Sequence, residues 1–252
     1  MRTLLLAAAT GMELEAALAP SLDSGTARRG GDAVLAGPVR LTPVVTGVGL
    51  VNASRIAGAA LARGGVDGVL LAGIAGSHDP LRLPVGTAVA VSEEIWPEYG
   101  VEAPPGADAR ALGFPLLDTP KCQIWDRVPL NPRDAAEFMG LALPAGVAEA
   151  PSLSVSTVSG SPERAAALGG RYGASLENME GFAWALACLE AGAPFVELRG
   201  VSNPAGSRRA KDWDAAAGRR AVGRLLEKVL RSTGKDGYDH NHMKRKAGLD
   251  IS

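Results

Sequence analysis

The stretch TPVVTGVGLVNASRIAGAALARGGVDGVLLAGIAG, residues 42–76, sets the fold class. Thr42–Val48 is short and rich in β-branched residues, as a buried strand is, and it runs into glycines. Val51–Gly65 then carries small and apolar residues at helical spacing and stops at a Gly pair. Val66–Gly76 is a second apolar strand that ends in a Gly-rich loop. Strand, helix, strand within 35 residues describes a parallel crossover unit.

The same alternation extends in both directions. TLLLAAA near the N-terminus reads as a buried strand, since it is short for a leader segment and acids follow it directly. MELEAALA is a short helix, and VGTAVAVSEEI a further strand. From Trp96 to about Ala150, Pro and Gly are dense and the pattern weak, which predicts long loops with short elements. SLSVSTVSG is strand-like and PERAAALGGRY helical. A helix runs from about Glu180 to Ala191, APFVELRGVSN is a strand, and RAKDWDAAAGRRAVGRLLEKVLRS closes the chain as an amphipathic helix. The expectation is an α/β protein with a largely parallel sheet, one domain over residues 1–232, and a disordered tail at 233–252. In such sheets ligands bind beyond the carboxyl ends of the strands.

Several chemistries are excluded at once. A net charge of −1 over 252 residues gives no electrostatic case for nucleic acid or a membrane surface. No apolar run reaches the roughly 18 residues that cross a bilayer. Two cysteines, Cys122 and Cys188, build no disulfide framework and fit a reducing cytoplasm. Of the three histidines, His240 and His242 lie in the tail, which leaves His78 alone for any triad or zinc site. TGVGLVN has Asn52 where a dinucleotide fingerprint needs its third Gly, so Gly47 and Gly49 read as a close strand–helix turn. No metal or organic cofactor is implied.

What remains is carboxylates, amides and backbone. Glu13 and Glu15 follow the first strand. Gly73 and Gly76 end another, where backbone and ligand can approach closely. Glu177 and Glu180 flank Asn178 and Met179 at the start of a buried helix. Arg199, Ser202 and Asn203 end the last strand. Alternation puts Glu197 on the same face as Arg199, the pattern of a structural ion pair. Each feature has a bland explanation in helix dipoles or turns; together they put acids, an arginine and an amide at the carboxyl ends of several strands.

The segments MELE, VVTGVGLVNAS, LAGIAGS, PVGTAVAVSEEI, ENMEGFAWA and PFVELRGVSN occur in an order that resembles the nucleoside phosphorylase/nucleosidase superfamily, over about Met1–Ser232. Within it the chain is most similar to the futalosine hydrolases, which remove hypoxanthine from futalosine in menaquinone biosynthesis. It is more distantly similar to methylthioadenosine/S-adenosylhomocysteine nucleosidases. The resemblance implies a three-layer α/β/α fold with a mixed, largely parallel twisted sheet, a small purine nucleoside as partner, and a homo-oligomer. It also implies roles. Glu15 matches the acid that activates water, Glu180 the acid that grips the ribose hydroxyls, and Arg199 an arginine beside both. Met179 and Asn178 would line the sugar, with Gly73, Ile74 and Ser202 at the same strand ends. The backbone of Val158 would lie beside the purine, and Tyr99 and Phe114 are candidates for the substrate tail. Asn203 stands where adenine-cleaving relatives carry Asp, and an amide suits the N7 and O6 acceptors of a 6-oxopurine. A methylthioadenosine/S-adenosylhomocysteine nucleosidase, a purine nucleoside phosphorylase and a non-catalytic nucleoside-binding protein remain as alternatives.

Overall fold

The computed structural model describes residues 1–232 apart from 105 and 121; the expected disordered tail lies outside them. In chain order the elements are β1 (Arg2–Ala8), α1 (Gly11–Asp23), β2 (Arg28–Gly30), β3 (Ala33–Ala36), β4 (Val39–Val45), α2 (Leu50–Ala62), β5 (Gly68–Ser77) and β6 (Ala88–Ile95). The weakly patterned stretch holds the small strands β7 (Val101–Ala103), β8 (Gly106–Asp108), β9 (Leu117–Asp118), β10 (Gln123–Ile124) and β11 (Arg127–Pro129), then α3 (Pro132–Phe138). There follow β12 (Ala148–Ser154), α4 (Pro162–Tyr172), β13 (Leu176–Asn178), α5 (Gly181–Ala191), β14 (Phe195–Pro204) and α6 (Ala215–Arg231).

One sheet of ten strands carries the fold. Its middle, β4–β1–β5–β14, is parallel throughout, while β2 and β3 add an antiparallel edge. Alternation along β1 separates two cores. Leu4 and Leu6 face Leu14 and Leu18 of α1 and Val222 and Leu226 of α6; Leu5 and Ala7 face Ala53 and Ala57 of α2 and Phe182 and Trp184 of α5. The result is three layers with a mixed sheet. Among the described residues no helix is long and apolar enough to cross a membrane.

Half of the sheet closes on itself. β5 pairs β14, β14 pairs β6, β6 pairs β12, β12 pairs β13, and β13 returns to β5. Two bulges re-aim side chains in this ring, as bulges do. On β6 the register steps from Val91 to Glu93 while β12 advances only from Ala150 to Pro151. Glu94 thereby turns to the same side as Val91. On β14 the register steps from Val201 to Asn203 against consecutive Ala75 and Gly76. That step sets Asn203 over Gly76, whose missing Cβ leaves the amide nitrogen room.

The layers meet most closely where Gly200 of β14 lies against Gly218 of α6; a Cβ on Gly200 would overlap the Gly218 carbonyl. Backbone cannot retreat as a side chain can. Gly200→Ala is expected to cost at least about 1–3 kcal/mol, read as a fall in the denaturant midpoint.

Candidate active site

Glu180 is the residue before the first turn of α5, where the amide ends of the helix favour a negative charge. It is buried, and its Oε1 accepts from the Gly49 N–H at 3.1 Å. Gly49 holds φ at 92°, which presents that N–H to the carboxylate and is open to few other residues. The second glycine of TGVG thus serves a carboxylate, while the Gly47 N–H donates to the Ala9 carbonyl. Asn52, at the failed third position, folds back to donate to the Val48 carbonyl.

Arg199 joins the acids. It is 1 % exposed, and its Nε donates to Glu197 Oε1 at 2.7 Å, the ion pair expected from alternation. Nη1 lies 3.4 Å from Glu180 Oε2 and donates to the Ile74 carbonyl at 3.3 Å. Nη2 donates to Asn178 Oδ1 at 3.0 Å. Burial alone would pull the guanidinium down, but Glu197, Glu180 and Glu94 outweigh it and hold it firmly charged.

The first loop corrects an expectation. Glu15 points outward and pairs with Arg29 at 2.7 Å, its side chain 64 % exposed. Glu13 faces the site instead. Its Oε1 accepts from the Ile74 N–H at 3.1 Å and its Oε2 from the Thr10 hydroxyl at 2.8 Å. Residues two apart on a helix diverge by about 200°, so only one of the two acids can face inward. The sequence did hold the signal: Thr10 and Glu13 have the Thr-x-x-Glu spacing of a helix start, with the Thr10 hydroxyl accepting from the Glu13 N–H as N-cap. Glu13 and Arg199 meet over Gly73, where a Cβ would overlap Arg199 Nη1 and sit 3.4 Å from Glu13 Oε1. Ile74 contributes main chain only, because its side chain packs toward α6 at Gly218.

Asn178 is the second correction. Its Nδ2 donates to Glu94 Oε1 and Ser152 Oγ, both at 2.7 Å. Its Oδ1 accepts from the Glu180 and Gly181 N–H groups, both at 2.8 Å, besides Arg199. An amide with both ends engaged has nothing left for a sugar. It holds the start of α5 and the arginine in place.

Ser202 donates to the Asn203 Oδ1 at 2.7 Å or the Ala75 carbonyl at 3.1 Å, and Asn203 Nδ2 donates to the Pro204 carbonyl at 2.9 Å. Met179 is half-buried against the small core cluster that includes Ile95, Leu153 and Val155. Val158 is 39 % exposed on the loop after β12. That loop is tied down by Glu177, which accepts from the Ser159 N–H at 2.9 Å and its hydroxyl at 2.5 Å. His78 lies 3.9 Å from Glu177; burial lowers its pKa, against the pull of the carboxylate. Tyr99 stacks on Trp96, which leans on Phe182 in the first turn of α5. Phe114 is 62 % exposed, just after the left-handed turn at Gly113.

Glu94 gave no signal in the sequence beyond its place at a strand end, because only the bulge on β6 turns it inward. Among the described residues no cluster suits a metal ion. An apolar cavity of about 850 Å³ lies elsewhere, lined by Leu117, Val128, Phe138, Cys188 and Phe195, and none of Glu13, Glu180 and Arg199 borders it.

The phosphorylase superfamily profile matches residues 3–231. A futalosine hydrolase of Thermus thermophilus is 40% identical over 189 residues, 75% of this chain and 80% of that protein. A futalosine hydrolase of Streptomyces coelicolor is 36% identical over 173 residues, 67% of this chain and 64% of that protein. In fold, the chain is similar to a methylthioadenosine/S-adenosylhomocysteine nucleosidase of Helicobacter pylori, with TM-score 0.69 and 19% identity over 91% of this chain and 98% of that one. A futalosine hydrolase mutant structure from the same organism gives TM-score 0.68 and 18% identity over 91% and 99%. The chain belongs to the phosphorylase superfamily and, within it, to the futalosine hydrolases.

Proposed function

We propose that this chain is a purine nucleosidase that hydrolyses the N-glycosidic bond of futalosine, releasing hypoxanthine and dehypoxanthinylfutalosine for menaquinone biosynthesis. The observation that carries the reading is the placing of Glu13 and Glu180 together beside the Nη1 of Arg199, over Gly73 and Ile74 of β5. Cleavage of such a bond builds positive charge on the ribosyl ring and negative charge on the departing base. Carboxylates suit the first and hydrogen-bond donors the second.

In this mechanism Glu13 takes the role expected of Glu15. It is held by Thr10 and the Ile74 amide, and it accepts the proton of the attacking water. Glu180, fixed by Gly49 and Arg199, grips the ribose hydroxyls. Met179 packs on the sugar, and Val158 lies along the purine. Asn203 directs the amide hydrogen not used on Pro204 to the base, where a 6-oxopurine offers only acceptors at N7 and O6. Tyr99, stacked on Trp96 and through it on Phe182 of α5, and the exposed Phe114 are candidates for the apolar tail.

Hydrolysis is favoured over phosphorolysis by charge. A phosphate dianion needs several cations or amide donors. Here the one buried arginine among the described residues is already bound by Glu197 and Glu180, and Glu13 already takes the Ile74 amide. The exposed apolar residues Val48 and Val51, at the start of α2 beside Gly49, support the homo-oligomer, and the free thiols of Cys122 and Cys188 the cytoplasmic setting.

The test follows base release from futalosine, inosine and methylthioadenosine, with and without phosphate. Hypoxanthine should be released from futalosine at a rate that phosphate leaves unchanged. Release that requires phosphate, or faster cleavage of the adenine nucleoside, would overturn the reading.

A further inference from the structure

Two carboxyl groups in the ring of strands have no part in that reaction. Glu94 and Glu197 are both 0 % exposed. Glu197 Oε1 accepts from Arg199 Nε, while its Oε2 is buried without a hydrogen-bond partner. Glu94 accepts from Asn178 Nδ2 at 2.7 Å and from Ser154 Oγ at 2.6 Å. The two side chains converge on one point, since a Cβ added to Gly181 would strike both carboxyls at once. The charged groups facing them are Arg199 and Glu180; the polar ones are Asn178, Ser152 and Ser154. One guanidinium therefore stands against three buried acids, with Glu13 beyond its Nη1.

Two acids facing each other in a dry interior do not both ionise. We propose that Glu94 and Glu197 hold one proton between them, and that this pair is a positioning device for Arg199 and Asn178 and, through them, for the Glu180 carboxylate. Burial first, and the neighbouring Glu197 second, push Glu94 well above the usual carboxylate range; burial raises Glu197 too, against the pull of Arg199. The shared proton replaces the repulsion of two facing carboxylates with a hydrogen bond between them. It also removes one of the negative charges set against the guanidinium, so that Nη1 stays with Glu180 and Ile74.

Glu94 further decides how Asn178 is turned. An acceptor at Glu94 draws the Nδ2 end, which leaves Oδ1 for the two α5 amides and for Arg199. With a donor there instead, the amide would turn over and set its own N–H groups against those donors. The pair thus reaches the ribose-gripping acid through side chains that touch no substrate.

What the pair does for turnover rests on the nucleosidase reading; the proton itself does not, so the two are tested apart. Infrared spectra of the substrate-free protein in D2O at neutral pH should show the carbonyl band of a protonated carboxylic acid, lost in Glu94→Gln. Its absence from the wild type would overturn the proposal. The linkage has a sign. A raised carboxyl contributes stability that is full below its unfolded pKa of about 4.3 and is lost as pH rises through the folded value. The melting midpoint of the wild type should therefore fall more steeply than that of Glu94→Gln as pH rises above this range, and parallel curves would count against the pair.

In the kinetic arm Glu94→Gln, which keeps the size of the side chain and an acceptor for Asn178 without the second charge, should exceed Glu94→Ala in kcat by about 10–10²-fold, with a smaller difference in KM. Equal losses in the two variants would reject the positioning role. If Glu94→Ala does not fold, Glu94→Asp takes its place. A protein that shows the acid band but fails to cleave futalosine would refute the nucleosidase reading and leave the shared proton standing.

Discussion

Glu13→Gln should lower kcat for base release by about 10²–10⁴-fold, the range of a general base, while Glu15→Gln stays near the wild-type rate. The two acids lie two residues apart on one helix, yet one is 8 % exposed and the other reaches solvent to pair with Arg29. Glutamine keeps the size of Glu13 and the oxygen that accepts from Ile74, so the fold should be retained while the proton acceptor is lost. The contrast between the variants makes the test sharp. If both fell equally, or if Glu15→Gln alone fell, water activation would not belong to Glu13. Initial rates with futalosine, together with a circular dichroism melt of each variant, decide it.

Arg199→Ala should be the most damaging single change to stability in the site. Removing one partner of a buried ion pair typically costs about 3–5 kcal/mol, because the remaining charge is left uncompensated. Here Glu197 and Glu180 would both lose the guanidinium, and Asn178 Oδ1 would lose a donor. The carboxyls can take up protons to limit the damage, so the loss should be smaller near pH 5 and larger near pH 8. The sign follows from linkage: without Arg199 the folded acids bind protons more tightly than the unfolded ones, and that stabilisation fades as pH rises. Urea midpoints at the two pH values measure it. A loss that shrank with rising pH would mean that Arg199 is not the counter-charge of these acids.

Much of this was legible in the sequence because it depends on local pattern. Strand and helix periods reproduce β1, β5, β14, α4 and α5 closely, and the acid at position 180 does stand at the mouth of a buried helix. Alternation along β14 sufficed to pair Glu197 with Arg199. The hairpin of β2 and β3 and the three-residue β13 were missed, since strands so short owe their existence to their partners more than to their own residues.

The remainder was decided by tertiary structure. Sequence offers Glu13 and Glu15 as equals, and the direction in which α1 packs chooses between them. It offers Asn178 as a ligand for sugar, and the closing of five strands into a ring surrounds that amide with Glu94, Ser152 and Arg199 instead. It gives Glu94 no distinction, and one inserted residue in the pairing of β6 with β12 turns it onto Asn178 and Glu197. A chain fixes the period of its side chains by itself. Which of them meet across 60 to 180 residues depends on register and closure, and these exist only once the strands have paired.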